Sequence, residues 1–190
     1  MAENKKKIYI VLTYSGTILS RIIRAYTGDE YSHVSIALDK DLEEMYSFGR
    51  LNPYNPLYAG FVHEKLLSGT FNRFKKTTTE ILSITVSDTQ YEEIKQIVEN
   101  FKSKSKIYHF NIIGLFAVGL GAKYKKENYY YCAEFVKYVV EQARLNLELP
   151  EIVKPMDFYQ LDKMNVEYKG ILRDYAFIRE DRKQMVSVEY

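Results

Sequence analysis

The pattern of apolar and polar positions divides the chain into short strands and amphipathic helices. A continuous apolar run at 8–12 and an alternating run at 34–38 are typical of strands. Apolar residues at helical spacing predict helices at 17–26, at 88–100 and from 132 onward. Extended stretches are also predicted at 43–48, 60–67 and 78–86, and residues 166–175 supply a last strand or two.

Turn and cap residues mark the ends of these elements. Gly28 follows the first predicted helix, and the turn residues at 39–41 favour a hairpin between the strands on either side. Ser87 or Asp88 can cap the helix that follows. The two prolines within 52–56 predict an exposed loop.

Three later segments have distinct patterns. Residues 110–120 are almost wholly apolar, which predicts a short buried helix with close packing at its glycines. Residues 155–158 begin with proline and predict another short helix. Residues 176–190 form a charged tail whose end, 185–188, has an extended pattern that could pair with a sheet edge.

Strands and helices do not alternate regularly, so we expect an α+β fold with an antiparallel sheet. The length of 190 residues, without repeats or linkers, predicts a single domain over residues 1–190. Its core spans about 8–175, and 176–190 is the tail.

Charge and the N-terminal pattern narrow the choice of partners. The net charge is +2 with basic and acidic residues interspersed, which argues against a nucleic-acid-binding surface. The apolar run at 8–12 is too short for a signal peptide or a membrane span, so we expect a cytoplasmic protein without an integral membrane segment. The basic run at 123–126 is interpreted as solvated loop that could also attract an anionic substrate. The sequence gives no indication of oligomeric state.

The chain has one cysteine, Cys132, at the point where a loop turns into a helix. A thiol at a helix N-terminus is favoured as the thiolate, which is the nucleophilic form. A lone cysteine is more often structural, so a reactive role requires a base nearby. His33 begins the 34–38 strand, whereas His63 is interpreted as an exposed strand residue and His109 as a partly buried neighbour of a cleft. Glu134 is expected to cap or pair at the start of the cysteine helix.

Five segments resemble those of a known family and occur in a similar order along the chain. They are 12–20, Tyr31-Ser32-His33-Val34-Ser35-Ile36-Ala37-Leu38, 106–108, Tyr131-Cys132-Ala133-Glu134-Phe135-Val136 and Pro155-Met156-Asp157-Phe158. Together they resemble the permuted papain-like cysteine amidases of the YiiX/YebB type. That family belongs to the NlpC-like superfamily and is related to lecithin:retinol acyltransferase. The resemblance runs from about Ile8 to Tyr175.

The resemblance implies a circularly permuted papain-like fold. In it an antiparallel sheet or half-barrel packs on helices, and the nucleophile lies at a helix N-terminus. It further implies that Cys132 is the nucleophile and that His33 is the general base and acid. No metal and no organic cofactor is required by such a site.

The resemblance also implies a third polar residue on the strand paired with the His33 strand. Ser47 is the position that matches best, although a hydroxyl cannot stabilise an imidazolium as a carboxylate would. A register slip of one would replace it with Tyr46 or Phe48, and Glu44 is a further possibility. Because Ser47 departs from the family pattern, the chemistry could also have been lost.

The oxyanion of a reaction intermediate needs its own hydrogen-bond donors. Backbone N–H groups at 13–17, or the N–H of Cys132 itself, could supply them. Tyr14 and Tyr131 are further candidates for contacting the substrate or the oxyanion.

Two functions of different classes follow. The first is a cysteine-dependent hydrolase or acyltransferase that acts on an amide, ester or thioester through an acyl-enzyme, with peptide-like or lipid-acyl small substrates. The second is a catalytically weak or inactive papain-like module that binds a peptide or lipid in the same cleft. A nucleic-acid-binding function is disfavoured by the near-balanced charge.

Overall fold

Eight strands are formed over residues 5–159 and 161–188, which are the residues that this computed structural model describes. They are β1 Lys5–Tyr14, β2 His33–Ala37, β3 Met45–Asn52, β4 Asn55–Glu64, β5 Thr78–Ser87, β6 His109–Phe110, β7 Tyr129–Tyr130 and β8 Asn165–Ile171. Six of them form an antiparallel sheet in the order β4-β3-β2-β1-β5-β8, and β6 pairs with β7 in parallel. The expected α+β fold with an antiparallel sheet packed on helices is confirmed.

Six α-helices and two short 3-10 turns complete the described chain. They are α1 Ile18–Thr27, α2 Gly69–Arg73, α3 Asp88–Ser103, α4 Ile112–Gly119, α5 Cys132–Gln142 and α6 Leu172–Val188, with 3-10 turns at Ser105–Ile107 and Pro155–Phe158. Thr17 caps α1 by accepting a hydrogen bond from Ser20 N at 3.2 Å, and Gly28 ends α1 with φ of 73°. No helix within the described ranges is long and apolar enough to cross a membrane.

Both faces of the sheet are covered, and strand alternation assigns side chains to them. On one face Ile8, Ile10 and Leu12 of β1 pack with residues of α3 and α5 in the larger apolar core. On the other face Tyr9 and Val11 join a smaller core with residues of α2 and α6. β1 is therefore buried on both sides, which explains its continuous apolar run.

The predicted hairpin between β2 and β3 is confirmed, and its register decides which residues of β3 share a face. Ile36 pairs with Tyr46, and Ala37 pairs with Met45. Tyr46 and Phe48 accordingly lie in the larger core with Ile36. Ser47 falls on the opposite face.

The predicted loop at 52–56 is wrong. β3 extends to Asn52 and β4 begins at Asn55, so Pro53 and Tyr54 alone form the turn. Proline is tolerated here because β4 is an edge strand and Pro56 stands near its start.

The last strand predicted within 166–175 is confirmed as far as Ile171, whereas the extended pattern predicted for 185–188 is wrong. The last strand ends at Ile171, and the chain from 172 to 188 is helical, including the segment 185–188 that has an extended pattern. Leu172, Tyr175 and Ala176 have helical spacing and are buried in the smaller core, which favours the helix over a strand. Residues 189 and 190 of the predicted tail lie outside the described residues.

The 110–120 segment forms the helix that was predicted, but the helix is not buried. In α4 and directly after it, Ile113, Phe116 and Leu120 are 58%, 50% and 78% exposed. Apolar composition predicts burial only when another element covers the helix, and this side of α4 has no such cover among the described residues.

Candidate active site

Cys132 is the first residue of α5 and is buried. Glu134, two residues later, accepts hydrogen bonds at its Oε2 atom from the backbone N–H of Tyr131 at 3.2 Å and from Asn111 Nδ2 at 3.3 Å. Burial raises the pKa of Glu134, although these two hydrogen bonds oppose that effect. The side chain thus caps α5 as expected, and the backbone N–H groups of its first turn point to the side where the thiol lies.

His33 is the first residue of β2 and pairs with Thr13 of β1. Its Nε2 atom lies 3.0 Å from Glu64 Oε1 and 3.3 Å from Ser35 Oγ. The hydroxyl of Ser35 donates to the second oxygen of Glu64. The side chains of His33 and Glu64 are 22% and 10% exposed, so their pairing is shielded from solvent.

Three influences set the protonation of His33. Burial on its own lowers the pKa of the imidazole. The charge of Glu64 and hydrogen bonds to Cys132 and Glu64 outweigh burial and raise the pKa of His33 to about 10. Glu64 occupies Nε2, which leaves Nδ1 as the ring nitrogen available to the thiol. The imidazole is therefore paired with the carboxylate in the cavity that also holds the thiol, and its raised pKa keeps it protonated at neutral pH.

Gly49 of β3 lies directly beside the imidazole and the carboxylate. A Cβ atom at position 49 would lie 3.5 Å from His33 Cε1 and 3.6 Å from Glu64 Oε1. The missing side chain leaves the space over β3 in which the carboxylate from β4 meets the imidazole from β2. Glu64 thus reaches His33 from two strands away.

The prediction that Ser47 supports His33 is corrected by this geometry. Ser47 is fully buried, and its hydroxyl donates to the carbonyl of Val34 at 2.7 Å. Glu44, the other possibility, accepts a hydrogen bond from the hydroxyl of Tyr46. Glu64 was missed because the third residue was sought only on the strand directly paired with β2. Its signal in the sequence is that it is the one carboxylate of β4.

The two tyrosines proposed for the oxyanion or substrate have other contacts. Tyr131 is buried, and its hydroxyl donates to the carbonyl of Val153 at 2.9 Å. The ring of Tyr14 packs under the guanidinium of Arg24 at 4.7 Å. Its neighbours Thr13 and Ser15, rather than Tyr14, line the cavity beside the thiol.

The other two histidines lie away from the thiol, and their predicted exposures are reversed. His63 is half-buried, stacks on Tyr46 and donates to the carbonyl of Glu43 at 2.6 Å. His109 is exposed and packs on the ring of Tyr129.

Cys132, His33 and Glu64 line one cavity of about 750 Å³, including its open mouth. Its remaining walls are largely apolar and come mainly from α1, α2, β3, β4, β6 and α4; they include Leu19, Ile23, Phe48, Phe71, Phe110 and Leu115. Arg50 also lines the cavity and is half-buried. Burial and the nearby Arg73 lower the pKa of Arg50. A thiol, an imidazole, a carboxylate and an apolar cleft are therefore brought together.

The fold and the cavity define an α+β protein with a Cys-His-Glu arrangement at the end of an antiparallel sheet. The fold is similar to the crystal structure of the metalloprotein YiiX from Escherichia coli O157:H7, DUF1105. The TM-score is 0.52, with 13% sequence identity over 87% of this chain and 98% of that chain. The YiiX-type fold implied by the sequence motifs is thereby supported. No family model matches the chain, and no curated protein matches it by sequence.

The name of YiiX raises the question of a metal in this chain. Within residues 5–159 and 161–188, no group of three or more His, Cys, Asp or Glu side chains could hold a metal ion. Since the donor set does not fit a metal, we assign no metal-dependent step to this cavity.

Proposed function

We propose that the protein is a cysteine-dependent hydrolase or acyltransferase that acts on an amide, ester or thioester bond. The observation that carries the proposal is the line of three groups in one cavity: the Cys132 thiol, the His33 imidazole and the Glu64 carboxylate. This is the arrangement that activates a nucleophile by a base which is itself oriented by a third group.

The proposal includes a circularly permuted papain-like architecture related to the NlpC-type peptidases and to lecithin:retinol acyltransferase. In support, the nucleophile begins a helix, and the base begins a strand of a sheet packed on that helix. The base precedes the nucleophile along the chain, which is the order that permutation would produce.

In the proposed reaction the Cys132 thiolate attacks the carbonyl carbon of the substrate, and a C–S bond forms. The imidazolium of His33 donates its proton to the leaving amine, alcohol or thiol as the scissile bond breaks, which yields an acyl-enzyme. Water or another acceptor then attacks the acyl carbon, and His33 accepts its proton. The C–S bond breaks as product leaves, and the thiolate with its imidazolium is restored.

The developing oxyanion needs donors close to Cys132. The backbone N–H of Cys132, in the first turn of α5, is the donor that we propose. We propose no oxyanion contact for the side chains of Tyr14 and Tyr131, since they have the other contacts described above.

Reactivity of the single thiol provides the test. Because the chain has one cysteine, labelling by iodoacetamide followed by mass spectrometry reports on Cys132 alone. At pH 6–7 we expect labelling at least about tenfold faster than that of free cysteine, and His33→Ala should lose the difference. His109→Ala is the matched control, since that histidine is exposed and stands outside the cavity.

A panel of peptide amides, acyl esters and acyl thioesters would then identify the reaction. Turnover that disappears in Cys132→Ser, with an acyl group retained on Cys132 in rapid-quench mass spectra, is the expected result. Labelling as slow as free cysteine and unchanged in His33→Ala would contradict the proposal and favour a binding module. The sequence feature that favoured that alternative was Ser47, whose place beside His33 is taken by Glu64.

A further inference from the structure

Helices α1 and α4 expose apolar side chains to solvent. These side chains are between 40% and 78% exposed. The set, called here the α1–α4 face, consists of Ile18, Ile22, Ile112, Ile113, Phe116 and Leu120. The spacing of the residues follows the helical repeat on each helix, so they form stripes rather than isolated exposed residues.

The α1–α4 face surrounds the mouth of the cavity. The two helices contact each other, and each also supplies side chains to the cavity wall. Leu19 and Ile23 do so from α1, and Leu115 does so from α4. Ile112 belongs to both the wall and the face. The same two helices therefore carry the exposed apolar side chains and part of the wall of the cleft that holds Cys132.

The two segments that carry this face contain basic but no acidic residues, although Lys123 pairs with Glu151 from another part of the chain. Residues 15–28 and 111–126 contain no aspartate or glutamate. The same two segments contain five basic residues, which are Arg21, Arg24, Lys123, Lys125 and Lys126. An apolar stripe bordered by basic side chains is the composition of helices that lie in the interface of an anionic membrane.

We propose that the α1–α4 face docks the protein onto the surface of an anionic lipid bilayer. The apolar side chains would enter the boundary between headgroups and acyl chains, and the basic residues would contact lipid phosphates. The docking goes beyond the proposed enzymatic function and does not depend on it. If both hold, the mouth of the cavity opens toward the bilayer.

A second copy of the chain is a less suitable occupant of this face. In a two-fold dimer the face would meet itself, so that Arg21, Arg24 and the lysines of 123–126 would approach their own counterparts. Like charges opposed across an interface are unfavourable, and neither segment offers a carboxylate to offset them. A bilayer with anionic headgroups supplies the complementary charge.

Co-sedimentation with vesicles tests the docking. The two preparations are phosphatidylcholine alone and phosphatidylcholine with about one third phosphatidylglycerol. We expect binding to the anionic vesicles, weaker binding to the neutral ones and a decrease with added salt. Ile18→Glu and Phe116→Glu should each lower partitioning by about tenfold or more. Arg21→Gln and Lys125→Gln should lower it by about fivefold each on anionic vesicles alone.

Val166→Glu is the matched control, because Val166 is 61% exposed on β8 at the other edge of the sheet. It should leave partitioning unchanged, and circular dichroism should show all variants to be folded. Failure of the wild type to bind anionic vesicles would overturn the proposal, as would an equal loss of binding in Val166→Glu.

A different result would assign the face to a second copy of the chain: self-association that Ile18→Glu abolishes, in a protein that does not bind vesicles. Iodoacetamide should label Ile18→Glu as fast as the wild type. A loss of vesicle binding can then be distinguished from a failure of the proposed chemistry at Cys132.

Discussion

Among single residues, His33 has the contacts on which the chemistry depends. Its imidazole lies between a thiol and a carboxylate, and it is held at Nε2 by Glu64 at 3.0 Å. A carboxylate stabilises the imidazolium that faces a thiolate, which a serine hydroxyl cannot do to the same extent. Ser35 supports the carboxylate by donating to its second oxygen. The pair of His33 and Glu64 that would activate the thiol in the proposed reaction is thus positioned from the sheet.

Substitution of Glu64 by glutamine tests this support. Glu64→Gln removes the charge that raises the pKa of His33, so burial should dominate and the pKa should fall from about 10 toward or below 6.5. NMR titration of the His33 ring measures this value. Labelling of Cys132 should slow by at least about tenfold, because the imidazolium is no longer favoured.

Ser47→Ala is the control for that substitution. It removes a buried hydrogen bond to the Val34 carbonyl and should cost about 1 kcal/mol of stability. The pKa of His33 should not change. An unchanged pKa in Glu64→Gln, or an equal shift in Ser47→Ala, would argue against Glu64 as the group that holds the imidazole.

The raised pKa of His33 also predicts how stability depends on pH. Its pKa is about 10 in the folded protein and 6.5 in the unfolded chain, so the folded state binds more protons between these values. The contribution of His33 is fully present below pH 6.5 and is lost as pH rises toward 10. The free energy of unfolding should therefore fall, by at most about 1.4 kcal/mol per pH unit from this group.

Urea unfolding of the wild type and His33→Ala at several pH values between 6 and 10 isolates this contribution. The difference in free energy of unfolding between the two proteins should shrink as pH rises. A difference that stays constant or grows over the same range would be inconsistent with a protonated His33 in the folded state.

Among the secondary-structure elements, local pattern predicts the positions of two of the three site residues. The apolar periodicity of α5 and the alternation of β2 suffice to place Cys132 and His33 at the start of their elements. Glu64 lies on β4, which is separated from β2 by β3 in the order of the sheet. The contact between Glu64 and His33 depends on strand register, on strand order and on the small residue at position 49. The pattern within a single strand predicts none of these.

Position 49 provides a test of that approach. A Cβ atom there would be in ordinary van der Waals contact with His33, Val62 and Glu64, so Gly49→Ala should keep Cys132 labelling within about twofold. Gly49→Leu adds atoms in the space between imidazole and carboxylate, and it should slow labelling toward the level of Glu64→Gln. Circular dichroism should show both variants to be folded. Equal labelling of the two variants would mean that the carboxylate does not need this space.

At the scale of the whole molecule, the sheet separates α5, which begins with Cys132, from a second layer. α5 packs on the larger core, whereas α6 covers the opposite face of the sheet with Leu172, Tyr175 and Ala176. The sequence could predict an antiparallel sheet on helices, but not that the charged C-terminal segment would provide this cover. Leu172, Tyr175 and Ala176 of α6 are buried in the smaller core with Tyr9 and Val11, which are distant in the sequence, so tertiary packing stabilises this helix.

Leu172→Ala tests whether the two layers are energetically separate. Leu172 is 1% exposed in the smaller core, so its truncation should cost about 2–5 kcal/mol of unfolding free energy in urea denaturation. Because Leu172 does not line the cavity, the labelling rate of Cys132 in the folded fraction should stay at the wild-type value. Val136→Ala in α5 is a comparable truncation in the larger core. It should lower the free energy of unfolding and also change the labelling rate of Cys132, since Val136 lies one turn beyond the thiol. A strong labelling defect in Leu172→Ala would mean that the layer formed by α6 helps to hold the His33 strand in place.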